Sequence, residues 1–133
     1  MRRSLTALAL ALALISGCNL QRGEPTAIPT PNLPTVTFSF PLDGSAINEG
    51  TDLAIEIVAR DDTAGVARVE LLLDDLPHEE GAPLDANAVP VFTVRFNWVA
   101  QQAGLHSLTA IAYRPDGTAS TPTTIRINVL RRE

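Results

Sequence analysis

The sequence predicts an all-β domain, a sandwich or barrel, and three observations predict it. From Thr35 onward apolar residues recur with a period of two in short runs, the pattern of strands with one buried and one wet face. Turn residues separate the runs, as in Pro41-Leu42-Asp43-Gly44, Asp61-Asp62-Thr63-Ala64-Gly65 and Pro115-Asp116-Gly117. No stretch of this region carries the 3.6-residue period of a helix.

The runs follow one another in order. Val36, Phe38 and Phe40 alternate with Thr37 and Ser39; Leu53, Ile55, Ile57 and Ala59 alternate with Ala54, Glu56, Val58 and Arg60. Val69, Leu71 and Leu73 then alternate with Arg68, Glu70, Leu72 and Asp74, and Phe92, Val94, Phe96 and Trp98 with Thr93, Arg95 and Asn97. Two further runs, 105–113 and 121–130, flank Pro115-Asp116-Gly117. There proline presets φ at the second turn position and glycine takes the left-handed place that follows. The path of 76–90 stays open at this stage. Residues 35–133 thus form one domain of about seven strands, near the usual size of about 100 residues for a sandwich. Ile57, Leu71, Trp98 and Leu108 are expected to point between the sheets.

Two segments precede this domain. Residues 1–17 read as an export signal: Met1-Arg2-Arg3 is a short positive head, 5–15 is apolar or small, and Ser16 and Gly17 are small. The apolar stretch is short of the roughly 20 residues a membrane span needs. It ends in Leu14-Ile15-Ser16-Gly17-Cys18. An aliphatic residue, two small ones and cysteine resemble the bacterial lipobox, which implies cleavage between Gly17 and Cys18 and a diacylglyceryl group on the Cys18 thiol. Cys18 is the single cysteine, so no internal disulfide is possible. Two or more acyl chains hold a protein stably where one binds marginally. The expected location is therefore outside the cytoplasm, on the cell membrane or the outer membrane. Residues 18–34 carry the lipidated cysteine and then a linker with Pro25, Pro29, Pro31 and Pro34. Polyproline geometry makes it a semi-stiff spacer of up to roughly 50 Å at about 3.1 Å per residue.

Charge narrows the partners. From Cys18 onward 8 Arg and no Lys stand against 15 Asp plus Glu, a balance of −7. An acidic surface repels phosphate backbones, which argues against nucleic acid. Without lysine neither Schiff-base chemistry nor a Lys–Asn isopeptide crosslink is available.

Three sets of residues in order resemble a known family. They are Pro41-x-Asp43-Gly44-x-x-Ile47; Leu53-x-Ile55-x-Ile57-x-Ala59-x-Asp61-Asp62; and Gly65-Val66-Ala67-x-Val69-Glu70-Leu71. Phe96-x-Trp98, Gly104-x-His106-x-Leu108-x-Ala110-x-Ala112, Gly117 and Ile125-x-Ile127-x-Val129 continue the match. Together they resemble the bacterial immunoglobulin-like domain over 35–130. The resemblance implies an immunoglobulin-like β-sandwich serving as a non-catalytic module of surface proteins and secreted enzymes. The family often has Asp after the Ala-x-Ala-x run, where this chain has Arg114.

Candidate chemistry is sparse. The acidic pairs Asp61-Asp62, Asp74-Asp75 and Glu79-Glu80 read as turn residues that are solvated or bond backbone amides, because a glycosidase needs carboxylates facing across a sugar. Calcium needs six to eight converging oxygens. The turns of Asp61-Asp62 and Asp116 could meet at one end of the sandwich, yet Arg114 would oppose a cation there. His78, beside Glu79-Glu80, reads as exposed, and no second histidine lies near it for zinc. His106 shares a strand face with Leu108, Ala110 and Ala112 and reads as a core histidine bonded to backbone. No metal, cofactor or catalytic group is expected. Two functions are compatible with this reading: a cell-surface interaction or spacer module with a protein or cell-wall partner, and a small carbohydrate-binding module. Flat exposed rings would favour the second, but alternation leaves Tyr113 as the one ring placed outside. The expected partner surface is the outer face carrying Leu72, Ile111 and Tyr113, ringed by Arg68 and Arg126.

Overall fold

The computed structural model describes residues 26–133. Of the unit Met1–Thr30 the described part, 26–30, is exposed chain without regular structure. The unit Pro31–Glu133 contains all eight described strands. They are β1 (Thr35–Phe40), β2 (Ala46–Asn48), β3 (Asp52–Arg60), β4 (Arg68–Leu73), β5 (Leu76–Gly81), β6 (Val91–Val99), β7 (Gly104–Tyr113) and β8 (Thr123–Leu130). One sheet has the order β1-β3-β6 and the other β2-β8-β7-β4-β5. Pairing is antiparallel except between β2 and β8, where the chain has crossed from the first sheet to the second through 41–45.

Alternation positions the core as expected. Ile55, Ile57, Leu71, Leu108 and Ile127 are fully buried, and Phe96 and Trp98 nearly so. Each such side chain contributes about 1.5–3 kcal/mol by leaving water. Phe38, Leu73, Phe92 and Val94 pack on this cluster from its rim.

The register defines two poles. At the first, Thr35 pairs with Arg60, Arg60 with Val91, and Arg68 with Tyr113. At the second, Asp52 pairs with Val99 and Asn48 with Leu130. The chain enters at the first, here the tether pole, and its last strand ends at the second, the distal pole.

Four features depart from the sequence reading. Phe40 is not inward: a bulge between Phe38 and Phe40 adds a residue, sets Phe40 opposite Glu56 and leaves it 52% exposed. Residues 76–81, in the stretch whose path the sequence left open, form an edge strand, and 46–48 form a short one that the alternation did not single out. Asp74 and Asp75, at φ 49° and 66°, close a two-residue hairpin from β4 to β5. The turn at Pro115-Asp116-Gly117 forms, with Gly117 at φ 88° and its N–H bonding the Arg114 carbonyl at 3.0 Å, but 118–122 separate it from β8. Pro34, at the linker's end, is buried rather than free.

At Gly81 the end of β5 lies close against β6 of the other sheet. A Cβ there would lie 2.6 Å from Val94 Cγ2 and 3.3 Å from Phe96 Cζ.

Candidate functional site

Three polar clusters stand on this frame. At the tether pole Asp61 follows β3 and Arg114 follows β7. Arg114 donates from Nε to Asp61 Oδ2 at 2.6 Å and from Nη2 to Asp61 Oδ1 at 3.0 Å. The Asp61 side chain is 1% exposed, so this acid is not solvated; its Oδ1 accepts the Thr63 N–H at 3.1 Å, the backbone bonding that the sequence reading allowed. The Arg114 bonds outweigh burial and, with the Thr63 N–H, hold its pKa down at about 2. Arg114 Nη2 also donates to the Asn32 carbonyl at 2.7 Å, and Asn32 Nδ2 to Thr63 Oγ1 at 2.7 Å. The guanidinium thus sets a positive charge beside Asp61 and holds the end of the linker against this pole. Asp116 is exposed and accepts from the Thr118 N–H at 2.9 Å.

Toward the distal pole His106 is the core-side histidine expected, and its Nε2 lies 2.7 Å from the Gln102 carbonyl. Its Nδ1 lies 2.7 Å from Asp74 Oδ2, a partner the sequence did not reveal. Asp74 Oδ1 accepts the Ser107 N–H at 2.9 Å, and the ring meets Trp98 edge-on at 5.3 Å. Burial opposes charge on both partners, but the bonds prevail. The Gln102 and Asp74 contacts raise the His106 pKa, and the Ser107 and His106 contacts lower that of Asp74.

The third cluster is the expected partner surface. β7 does lie between β4 and β8, and Leu72, Ile111 and Tyr113 are half-buried on its outer face. Tyr113 is already engaged: the Arg68 guanidinium stacks 3.6 Å from its ring centroid and its hydroxyl donates to Glu70 Oε2 at 3.0 Å. Arg68 also bonds Glu80 at 2.9 Å. Arg126 does not join them. It is opposite Ser107, whereas Tyr113 is opposite Arg68, so the two lie about 20 Å apart along β7 at roughly 3.3 Å per residue. The ring of arginines around an apolar centre is therefore half present. Gly17 and Cys18 lie outside the described residues.

Two shallow depressions, of about 250 and 260 Å³, are lined by Asn32, Leu33, Thr35, Arg60, Asp61 and Asp62, and by Glu70, Pro77, His78, Glu79 and Glu80. Among the described residues no three His, Cys, Asp or Glu side chains converge as a metal site would require.

Comparison with known proteins agrees with this architecture. Residues 34–110 match the family model described as Bacterial Ig domain. No curated protein matches the chain. Among solved structures, the fibronectin(III)-like modules of CbhA from Clostridium thermocellum are similar at 26% identity and a TM-score of 0.60, over 74% of this chain and 100% of that one. The SrpA adhesin of Streptococcus sanguinis is similar at 18% identity and a TM-score of 0.55, over 77% of this chain and 59% of that one. An endo-beta-1,4-mannanase from Thermotoga petrophila is similar at 14% identity and a TM-score of 0.54, over 74% of this chain and 20% of that one. The last two likenesses concern the fold alone.

Proposed function

The chain belongs to the bacterial Ig domain family, and on that premise we propose that it is a non-catalytic spacer and interaction module, exported and held on a membrane by lipid on Cys18. One observation carries the spacer part. The domain is entered at one pole and left at the other, so a module fixed by its N-terminal side presents its distal pole away from the point of attachment. The Arg114–Asn32 bond supports the same reading, because it ties the end of the linker to the tether pole. The proline-rich linker adds stand-off from the membrane surface. Lipid attachment rests on Ile15-Ser16-Gly17-Cys18 and the basic, apolar segment before it.

The experiment is metabolic labelling with palmitate in a bacterial host. The full chain should take up label and fractionate with membranes, and Cys18→Ala should do neither. Label retained by Cys18→Ala would refute the anchor.

A further inference from the structure

Among the described residues the sandwich leaves one long strand edge open, and it is β6. Beyond its two ends the Asp61 N–H bonds the Pro90 carbonyl and the Ala100 N–H bonds the Thr51 carbonyl, each at 2.9 Å. Hydrogen-bonded pairs in an antiparallel ladder recur at every second residue. With Ile57 opposite Val94 and Leu53 opposite Trp98, the even-numbered residues Phe92, Val94, Phe96 and Trp98 spend their backbone groups on β3. Val91, Thr93, Arg95, Asn97 and Val99 therefore turn theirs to the free edge, and all five are exposed.

Every other edge is blunted. β1 is broken by its bulge, β2 is 3 residues long, and β5 carries Pro77, two glutamates and a bulge of its own. β6 keeps an unbroken register over 9 residues with no proline or glycine. Its one charge, Arg95, is paired with Glu56 at 3.1 Å.

The edge also has a floor. A Cβ at Gly81 of β5 would run into Val94 and Phe96, so the end of β5 underlies the inner side of β6. Glu79 and Leu76 share that face of β5, being opposite the inward Leu71 and Leu73. Leu76 is 69% exposed; Glu79 is exposed and, among the described residues, has no cation partner. Phe92 and Val94 are covered in part.

We propose that β6 accepts an added strand from a partner protein: an extended segment with alternate apolar side chains against Phe92 and Val94 and a Lys or Arg that meets Glu79. Charge selects this occupant. A second copy on the same edge would bring two β5 strands and their glutamates together, and the chain's own linker has too many prolines to form a ladder. The inference deepens the interaction role proposed above and rests on it, but is independent of lipid on Cys18, so its failure would leave the palmitate result standing.

The test is residue-resolved hydrogen exchange on the full chain in detergent. The probe is a ten-residue peptide of alternating Val and Thr with one central Lys, compared with a twin methylated on alternate backbone nitrogens. The Lys peptide should slow exchange at Thr93, Arg95 and Asn97 by roughly tenfold or more, and the methylated twin should not. Asn97→Pro removes an edge N–H that makes no bond to β3; it should abolish the protection while the melting temperature stays within a few degrees. Glu79→Lys should weaken the Lys peptide by roughly tenfold and favour a Glu-bearing one. No slowing in β6, or slowing unchanged in both variants, would overturn the proposal. Concentration-dependent slowing without peptide would also overturn it, by assigning the edge to a second copy.

Discussion

His106 faces an acceptor at each ring nitrogen, the Gln102 carbonyl and the Asp74 carboxylate, and a neutral imidazole has one N–H to give. The geometry therefore selects the imidazolium. Because the folded pKa of His106 is raised, its stabilisation is complete below the unfolded value of about 6.5 and is lost as pH rises through the folded value. Asp74 has the opposite sign: its pKa is lowered, so its contribution holds above about 4 and is lost as pH falls through the folded value. Thermal melts should therefore fall from pH 6 to pH 9 in the wild type and stay flatter in His106→Gln. Equal slopes would contradict the pair. Two aromatic residues test the register at the same scale. Trp98→Ala should cost about 3–5 kcal/mol, as for a buried ring. Phe40→Ala, outside because of the bulge, should cost less than about 1 kcal/mol. Comparable losses from the two in denaturant titrations would refute the bulge.

At the scale of elements, the close approach at Gly81 fixes how β5 meets β6. Gly81→Ala pushes a methyl group into Val94 and should cost about 1–3 kcal/mol, read as a lower urea midpoint with unchanged slope. Wild-type stability would mean that β5 does not underlie β6. Period-two alternation made the long strands legible in the sequence, because one face of each is buried against the other sheet. The β4–β5 hairpin was not legible. Its turn is Asp74-Asp75 without glycine, and Pro77 argues against a strand unless the strand is an edge. The Asp74 carboxylate is held by Ser107 and His106, partners that come from β7 and that no local pattern announces. The Asp61–Arg114 pair was legible in part: the sequence placed the Asp61 turn and Arg114 at one end of the sandwich, but not the paired bonds between side chains 53 positions apart. The outer face was half legible. Alternation put Leu72, Ile111 and Tyr113 on it, but only the strand register separates Arg126 from Tyr113.

At the scale of the whole molecule, the lipid anchor proposed on Cys18 would set the Ig-like module off a membrane with its distal pole outward. Cys18 is the single cysteine, so once it is acylated an introduced cysteine is the sole free thiol. The decisive measurement is energy transfer to acceptor dyes in vesicle membranes from a fluorophore at Thr35→Cys or at Arg131→Cys in the lipidated protein. The poles are separated by about 30 Å, the length of a nine-residue strand at roughly 3.3 Å per residue. One dye should attach per molecule, with stronger transfer from position 35 than from position 131. Two dyes per molecule would mean that Cys18 carries no lipid, and equal or stronger transfer from position 131 would overturn the outward placement of the distal pole.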